Sequence, residues 1–266
     1  MADRILETGT PYLKAELREG VAVITLNRPE ARNALGDMLT PMLRTTLAQC
    51  DADPEVGAFL ITGAGGAFCA GGDIKSMGQG GANPRPRDEA VAELIHRQRT
   101  LTGVIVASRK PSVAALPGPA AGAGLSLALA CDLRIASRSA FVRTAYVRIG
   151  LPGDYGISWL LTRAVGPSRA RELMLLSEDV DAERCERIGL VNRVTEDHEL
   201  FDTAFALAAK LAGGPRSALG AIKDNLDDAL QLDFLGSMDR EADRMVGRTS
   251  SAETQAALDA IQSPSR

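Results

Sequence analysis

The chain has few of the residues on which several common catalytic sites depend. Only two histidines, His96 and His198, occur among 266 residues, and no G-x-S-x-G motif is present. A histidine-rich metal site or a Ser-His-Asp hydrolase therefore has little support. The four cysteines are scattered without C-x-x-C spacing. They are expected to be reduced, buried thiols rather than a disulfide framework or a metal site.

Long apolar runs and an excess of basic charge are also missing. The sequence contains no run of 18 apolar residues, and residues 1–10 lack the apolar stretch of a signal peptide. These absences predict a cytoplasmic protein with no membrane partner. The formal net charge of −4 argues against a general nucleic-acid surface, which would be basic.

Glycine is concentrated in two loops that each follow a short apolar run. Residues 63–75 (GAGGAFCAGGDIK) follow the run 58–62, and residues 118–124 (GPAAGAG) follow the run 113–116. Such loops can direct backbone N–H groups at an anionic or carbonyl oxygen. The pair therefore predicts two donors that converge on one oxygen, although two tight turns that merely allow helix packing would have the same composition. A dinucleotide motif is not completed, because Phe68 stands where the last glycine is required.

Alternating strand and helix patterns predict an α/β architecture. The apolar segment 21–26 indicates a strand, the 36–52 segment has helical spacing, and a helix from 88 to about 108 is weakly interrupted by Gly103. Strands are not expected after about residue 196. Helices are predicted over 201–211, 215–230, 234–246 and 252–261. Segment 78–87 is expected to be a surface loop, or alternatively a lid whose Arg85 and Arg87 meet ligand phosphates.

Six motifs occur in an order typical of one family. They are NRPEARNAL at 27–35, FCAGGDIK at 68–75, GAG at 122–124 with ACD at 130–132, IGL at 149–151, LTRAVG at 161–166 and GLV at 189–191. Over roughly residues 10–200, the chain resembles the crotonase, or enoyl-CoA hydratase/isomerase, superfamily. This resemblance implies a crotonase-like spiral of ββα units over 1–200, which carries an acyl-CoA site. It also implies a C-terminal helical region over 201–266 that drives assembly of a homotrimer or homohexamer.

The same resemblance implies roles for individual residues. The backbone N–H groups of Gly72 and Ala123 would hold the thioester carbonyl of the substrate. Alanine stands at position 123, where many members have glycine, but its N–H is retained. The substrate-binding positions would be Arg28, Ala70, Asp73, Ile74, Lys75 and Tyr146. Arg28 and Lys75 are alternatively surface charges, and Asp73 alternatively caps the helix after its loop. Coenzyme A would enter only as part of the substrate, and no metal or other cofactor is expected.

The paired glutamates of the family's hydratases are absent. Their positions fall on Ser126 and on Tyr146, or on Ala145 if the register slips by one. Asp154 remains, and its offset from Gly150 matches an aspartate in a branch that includes isomerases of ring-opened phenylacetyl-CoA and a dehalogenase. The dehalogenase's histidine and tryptophan have no counterparts here. One carboxylate suffices for a 1,3-proton shift, so the sequence favours double-bond isomerisation by Asp154. Hydration with a non-standard acid or base, a non-catalytic acyl-CoA-binding protein, and Asp154 as a simple turn residue stay open.

Overall fold

The computed structural model describes residues 3–73 and 86–262. Within them, seven strands form one sheet in the order β1-β2-β3-β4-β5-β7-β10. Strands β1, β2 and β3 pair antiparallel, and the remaining neighbours pair parallel. The strands are β1 Arg4–Leu6, β2 Leu13–Arg18, β3 Val21–Leu26, β4 Ala58–Gly63, β5 Ser112–Leu116, β7 Leu133–Ser137 and β10 Arg193–Thr195. The predicted strands at 21–26, 58–62 and 113–116 are confirmed.

A second, smaller sheet, ten α-helices and three short 3₁₀ helices complete the regular structure of the described part of the chain. The small sheet has the order β6-β8-β9, from β6 Ala120–Ala121, β8 Phe141–Arg143 and β9 Val180–Asp181. The helices are α1 Thr40–Ala52, α2 Arg87–Arg99, α3 Thr102–Ala107, α4 Ala123–Ala130, α5 Ile157–Leu176, α6 Ala182–Arg187, α7 Leu200–Ala212, α8 Arg216–Ala229, α9 Phe234–Thr249 and α10 Ala252–Gln262.

The prediction of one helix from 88 to about 108 is wrong in one respect. The structure has two helices, α2 and α3, and the break falls before Gly103 rather than at it. Leu101 leaves helical geometry, with φ −113° and ψ −89°, and its side chain is fully buried. The hydroxyl of Thr100 donates to the carbonyl oxygen of His96 at 2.7 Å. Burial of Leu101 therefore coincides with the turn between the helices, and no glycine is needed for the break.

The large sheet is covered on both faces. Val21, Val23 and Leu60 pack with Ala204 and Phe205 of α7 in one hydrophobic cluster. The alternate residues of β3, including Ala22 and Ile24, belong to the larger cluster on the other face. Because side chains alternate along a strand, covering both faces requires strands that are apolar throughout. This explains why the predicted strands read as continuous apolar runs.

The two glycine-rich loops leave the same edge of the sheet. Strand β4 ends at Gly63 and β5 ends at Leu116, and these strands are parallel neighbours. Parallel neighbours bring their carboxyl ends to one edge, which is where open α/β sheets commonly bind ligands. The order of the strands thus places the loops side by side.

The last four helices follow the final described strand. Helix α7 begins at the predicted boundary near residue 200, yet it packs on the sheet. Helix α8 packs with α9 beyond it. No helix within 3–73 and 86–262 is long and apolar enough to cross a bilayer.

Candidate active site

The two glycine-rich loops contact each other backbone to backbone. The N–H of Cys69 donates to the carbonyl oxygen of Pro119 at 3.1 Å, and the N–H of Ala121 donates to that of Cys69 at 2.9 Å. A Cβ added at Gly124 would lie 2.7 Å from the Cβ of Cys69 and would also meet the Cys69 carbonyl oxygen. Only glycine at 124 therefore allows α4 to begin this close to the first loop.

Asn33 fixes the first loop from the other side. Its fully buried amide donates to the carbonyl oxygens of Ala64 at 2.9 Å and of Ala67 at 2.8 Å. Its Oδ1 accepts from the backbone N–H of Arg28 at 2.8 Å. Satisfied buried polar groups of this kind hold a backbone in one conformation. The NRPEARNAL motif thus supports the loop that carries Gly72.

The N–H groups of Gly72 and Ala123 have few alternatives for hydrogen bonding. Leu35 donates its N–H to Gly71 at 2.7 Å and accepts from Asp73 at 3.1 Å, so the intervening N–H of Gly72 points away from Leu35. Ala123 is the first residue of α4, and a first helical residue has no intrahelical acceptor for its N–H. A Cβ at Gly71, whose φ is +91°, would lie 3.3 Å from the nitrogen of Ala123. The two amides therefore belong to loops in direct contact.

Asp154 lies beside Ser126 and Tyr146, two of the residues predicted for the glutamate positions. The hydroxyl of Tyr146 donates to its Oδ1 at 2.7 Å. The hydroxyl of Ser126 lies 3.3 Å from that of Tyr146 and donates to the backbone oxygen of Asp154 at 3.3 Å. The structure thus brings together three positions that the sequence separates by up to 28 residues. The cluster contains one carboxylate and two hydroxyl groups.

The surroundings of Asp154 change the proton affinity of these groups. Burial raises the pKa of Asp154 above its ordinary value, whereas the hydrogen bond from Tyr146 opposes this rise. The pKa of Tyr146 is raised far above its usual range by burial, and the neighbouring carboxylate adds to the effect. Tyr146 is consequently a neutral hydrogen-bond donor at any moderate pH.

One cavity is lined by Asp154 together with Gly72 and Ala123, the residues whose N–H groups are the predicted donors. Its volume is about 180 Å³, and it is bordered by residues of α1, α2, the first glycine-rich loop and the segment before α5. The lining residues are Leu35, Gly36, Asp37, Thr40, Pro41, Arg44, Gly72, Asp73, Leu94, Arg97, Ala123, Asp154 and Tyr155.

The residues predicted to contact coenzyme A are only partly described by the structure. The Nη1 of Arg28 donates to Oδ2 of Asp73 at 2.7 Å, so two positions predicted as separate ligands are paired with each other. The N–H of Ala70 donates to the carbonyl oxygen of Arg32 at 2.9 Å. Ile74, Lys75 and Arg85 lie outside the described residues.

The cysteines are buried, as the sequence predicts. The thiol of Cys69 donates to the carbonyl oxygen of Asn33 at 3.1 Å. Burial raises its pKa to about 12, so this loop cysteine is a neutral thiol and a poor nucleophile.

Sequence reasoning missed the helical side of the cavity. Arg44 and Thr40 from α1, and Arg97 from α2, line it. A signal did exist, because the buried residues of α1 include Thr40, Leu43 and Leu47, and Arg44 falls among them at i, i+3, i+4, i+7 spacing. A charged residue within the apolar stripe of an amphipathic helix is unusual.

A family model described as Enoyl-CoA hydratase/isomerase matches residues 16–262. Two curated relatives agree with this match. A protein of Escherichia coli named 1,2-epoxyphenylacetyl-CoA isomerase is 36% identical over 240 residues, which cover 90% of this chain and 91% of the relative. A Mycobacterium tuberculosis protein named probable enoyl-CoA hydratase is 43% identical over 217 residues, which cover 79% of this chain and 74% of that protein. The chain belongs to the enoyl-CoA hydratase/isomerase family and is an acyl-CoA enzyme of it.

Solved structures confirm the crotonase-like α/β fold. An enoyl-CoA hydratase from Polaromonas sp. JS666 superimposes with a TM-score of 0.85 at 32% identity, covering 95% of this chain and 98% of that one. An enoyl-CoA hydratase of Mycobacterium smegmatis gives a TM-score of 0.86 at 28% identity, covering 94% of this chain and 96% of that one. The fold expected from the motif order is therefore correct.

Proposed function

We propose that the protein isomerises the double bond of an enoyl-CoA thioester, with Asp154 as the single acid and base. The observation that carries this proposal is the position of Asp154. It lines the same cavity as Gly72 and Ala123, and the other two candidate acid/base positions offer it only hydroxyl groups.

The proposed reaction is a 1,3-proton shift. The Asp154 carboxylate removes a proton from C2 of a 3-enoyl thioester, and the electron pair delocalises onto the carbonyl oxygen as a dienolate. The N–H groups of Gly72 and Ala123 stabilise that oxygen, and such donors contribute roughly 2.7–4 kcal/mol each in other enzymes. The protonated Asp154 then returns the proton to C4, and the double bond moves from C3–C4 to C2–C3. A base raised in pKa by burial suits this task better than an ordinary aspartate.

Hydration is the second candidate because several relatives carry the name enoyl-CoA hydratase. Hydration across a conjugated double bond needs water to be activated and a proton to be delivered to carbon. Ser126 and Tyr146 stand where paired glutamates would do this, and the pKa of Tyr146 is raised far above its usual range. One ionisable carboxylate fits the proton shift more directly than the addition of water.

Coenzyme A would be held at the mouth of the cavity. We propose contacts from Ala70 and from the Arg28–Asp73 pair, whose side chains are only partly exposed. The relatives' names supply the chemical class, because the Escherichia coli protein is named for a coenzyme A thioester. Coenzyme A is then part of the substrate, and the chemistry needs no other cofactor.

We further propose that the enzyme assembles as a homotrimer or homohexamer through its C-terminal helices. Large apolar side chains of α8, α9 and the turn between them are exposed in the single chain, including Leu226, Leu230, Phe234, Leu235 and Met245. Large exposed apolar patches typically mark a protein–protein interface, which is the reason for this proposal.

The substitution Asp154→Asn tests the proposed chemistry. It keeps the size of the side chain and removes its ability to accept a proton from carbon. We expect isomerisation of 3-hexenoyl-CoA to fall by about a hundredfold or more, the usual contribution of a positioned acid/base. Exchange of substrate C2 and C4 protons with solvent deuterium should fall in parallel, while the dissociation constant for hexanoyl-CoA changes little.

Asp37→Asn is the matched control, because Asp37 lines the same cavity but is exposed. It should retain most activity. Full proton exchange in the Asp154→Asn variant would contradict the assignment. Consumption of 2-hexenoyl-CoA by the wild-type protein, without conversion of the 3-isomer, would identify a hydratase instead. Thioester binding with no turnover of either substrate would identify a non-catalytic binding protein.

A further inference from the structure

Three residues near Asp154 and Tyr146 have left-handed backbone conformations although none of them is glycine. Ala145 precedes Tyr146 with a φ of 65°, Tyr155 follows Asp154 with a φ of 50°, and Ser177 follows the last residue of α5 with a φ of 52°. A residue with a side chain is strained in this conformation, and such strain persists only where neighbouring contacts impose it. The contacts made by these residues therefore indicate how the site is held in place.

Ser177 contacts the chain on both sides of Tyr146. Its side-chain Oγ accepts a hydrogen bond from the backbone N–H of Ala145 at 2.9 Å. Its backbone oxygen accepts a hydrogen bond from Nε of Arg148 at 3.0 Å. Ser177 is fully buried, and buried polar groups are normally satisfied within the protein. The partner of its hydroxyl is thus the amide that immediately precedes Tyr146.

Helix α5 connects this contact to Asp154. The backbone oxygen of Asp154 accepts from the N–H of Ile157, the first residue of α5, at 3.1 Å, and the other end of the helix adjoins Ser177. An uninterrupted helix of 20 residues would be about 30 Å long. Gly166 interrupts it with a φ of 75° and a ψ of 164°. The interruption lets both ends of α5 approach the segment that carries Tyr146.

The residue type at position 177 is informative. Glycine adopts a left-handed conformation without strain and is the common residue just after a helix C-terminus. Glycine has no hydroxyl, however, and would leave the N–H of Ala145 without this acceptor. Serine is strained here but supplies the acceptor, so the hydroxyl is the feature that distinguishes this residue from the one the backbone favours.

We infer that Ser177 is a positioning residue of the active site. Its hydroxyl holds Ala145 in the left-handed conformation, and that conformation directs the hydroxyl of Tyr146 at Oδ1 of Asp154. Ser177 does not line the cavity that contains Asp154, so it acts through Tyr146. Its effect on catalysis rests on the proposed isomerase function, whereas its effect on the hydrogen bond between Tyr146 and Asp154 does not.

The substitution Ser177→Gly tests the inference, because it removes the hydroxyl and relieves the backbone strain at the same position. We expect kcat for 3-hexenoyl-CoA to fall about tenfold, which is less than the roughly hundredfold effect of a displacement of about 1 Å. KM should stay unchanged, because no contact with the thioester is removed. Steady-state kinetics measure both constants, and thermal unfolding checks that the variant is folded.

Ser108→Gly is the matched control. Ser108 is also buried, it also follows a helix, and its Oγ accepts from the backbone N–H of Lys110 at 3.1 Å. It lies outside the cavity. This variant should unfold at a lower temperature and keep the wild-type kcat and KM. Ser177→Ala loses the hydroxyl but keeps the strain, so it should lose as much activity as Ser177→Gly and be less stable.

A double variant shows whether Ser177 acts through Tyr146. Phenylalanine at position 146 has no hydroxyl to direct, so Ser177→Gly should cause no further loss of kcat in a Tyr146→Phe background. Residues that act as one unit show this kind of non-additivity. Effects that multiply would overturn the inference, because Ser177 would then act by another route.

NMR spectroscopy follows the hydrogen bond without any turnover. The chain has three tyrosines, Tyr12, Tyr146 and Tyr155, so labelling of tyrosine Cζ with ¹³C gives three resonances, and Tyr146→Phe assigns one of them. In the wild-type protein the Tyr146 resonance should shift as Asp154 is protonated. In Ser177→Gly it should lose most of that response, and in Ser108→Gly it should keep it.

The remaining outcomes separate this inference from the proposed function. An unchanged response of the Tyr146 resonance in Ser177→Gly would overturn the inference, and so would an unchanged kcat. An equal loss of kcat in Ser108→Gly would overturn it as well, because the effect would then be general. A wild-type protein that converts no enoyl-CoA would contradict the isomerase proposal. Loss of the Tyr146 response in Ser177→Gly would still support the positioning role in that case.

Discussion

At the scale of single residues, two opposed effects act on the carboxyl group of Asp154. Burial raises its pKa, and the hydrogen bond from Tyr146 lowers it because the hydroxyl stabilises the ionised form. The side chain acts as the proposed base only when it is deprotonated. Tyr146 would then be a positioning residue, which orients Oδ1 and keeps the carboxylate ionised over a wider pH range.

The substitution Tyr146→Phe tests this role. Loss of the donor removes the effect that lowers the pKa, so the pKa of Asp154 should rise further. Because activity falls as pH drops through the pKa of a base, the acidic limb of the kcat/KM profile should move to higher pH. A pH profile with 3-hexenoyl-CoA measures the shift.

Ser126→Ala is the matched control, since the Ser126 hydroxyl contacts Tyr146 and the backbone oxygen of Asp154 but not its carboxylate. We expect a smaller displacement of the acidic limb in this variant. An unchanged profile in Tyr146→Phe would show that the hydroxyl does not influence the catalytic group.

At the scale of elements, the site depends on how closely α4 approaches the first glycine-rich loop. Gly124 follows Ala123 in the first turn of α4, and the backbone of Cys69 lies against it. The position of the Ala123 N–H is therefore set by a packing contact, and the same contact holds it near Gly72. Because protein interiors are close-packed, even a single added methyl group displaces the neighbouring atoms.

Gly124→Ala should separate the two loops. The added Cβ meets backbone atoms that cannot rotate away, and overpacking of this kind costs about 1–3 kcal/mol of unfolding free energy. Isomerase activity should fall more than the loss of stability explains, because the two donors no longer converge. Urea denaturation and kcat/KM measure the two effects.

Gly103→Ala provides the comparison. Gly103 lies in α3, where an added Cβ would find its nearest neighbour at 3.4 Å, and its φ is not positive. Stability should stay level or rise by up to about 1 kcal/mol, since alanine is the better helix former. A Gly124→Ala variant with wild-type activity would contradict the proposed dependence on loop contact.

At the scale of the whole molecule, the exposed apolar side chains are concentrated toward the C-terminus. Phe234, Leu235 and Met245 are each more than 60% exposed, on helices that follow the sheet rather than cover it. In a monomer this apolar surface stays in contact with water, whereas assembly would bury it. The proposed trimer or hexamer is the arrangement that would cover it.

Leu235→Glu should disrupt that assembly. A carboxylate placed in an apolar interface must be desolvated without a partner, so smaller species should appear in light scattering after size-exclusion chromatography. Ile5→Glu is the control, because Ile5 is similarly exposed but lies in the edge strand β1. It should leave the mass unchanged. A wild-type protein that is monomeric at micromolar concentration would contradict the proposal.

The sequence by itself determined the architecture and the two loops of the site. Strands that are buried on both faces can be seen in the sequence as continuous apolar runs. The loops can be seen as clusters of glycine, including those at 71, 72 and 124. The ordered motifs then identified the family. Asp154 could be selected from the sequence because its spacing from Gly150 matches an aspartate of one branch of the family, whereas neither glutamate is present.

Only the tertiary structure decided which side chains meet. The hydrogen bond between Tyr146 and Asp154 and the pairing of Arg28 with Asp73 bring together side chains that are separated in the sequence. Periodicity assigns a residue to a face of its own element and carries no information on what that face contacts. The proton affinity of Asp154 and Tyr146 depends on those contacts, so it could be described only from the folded structure.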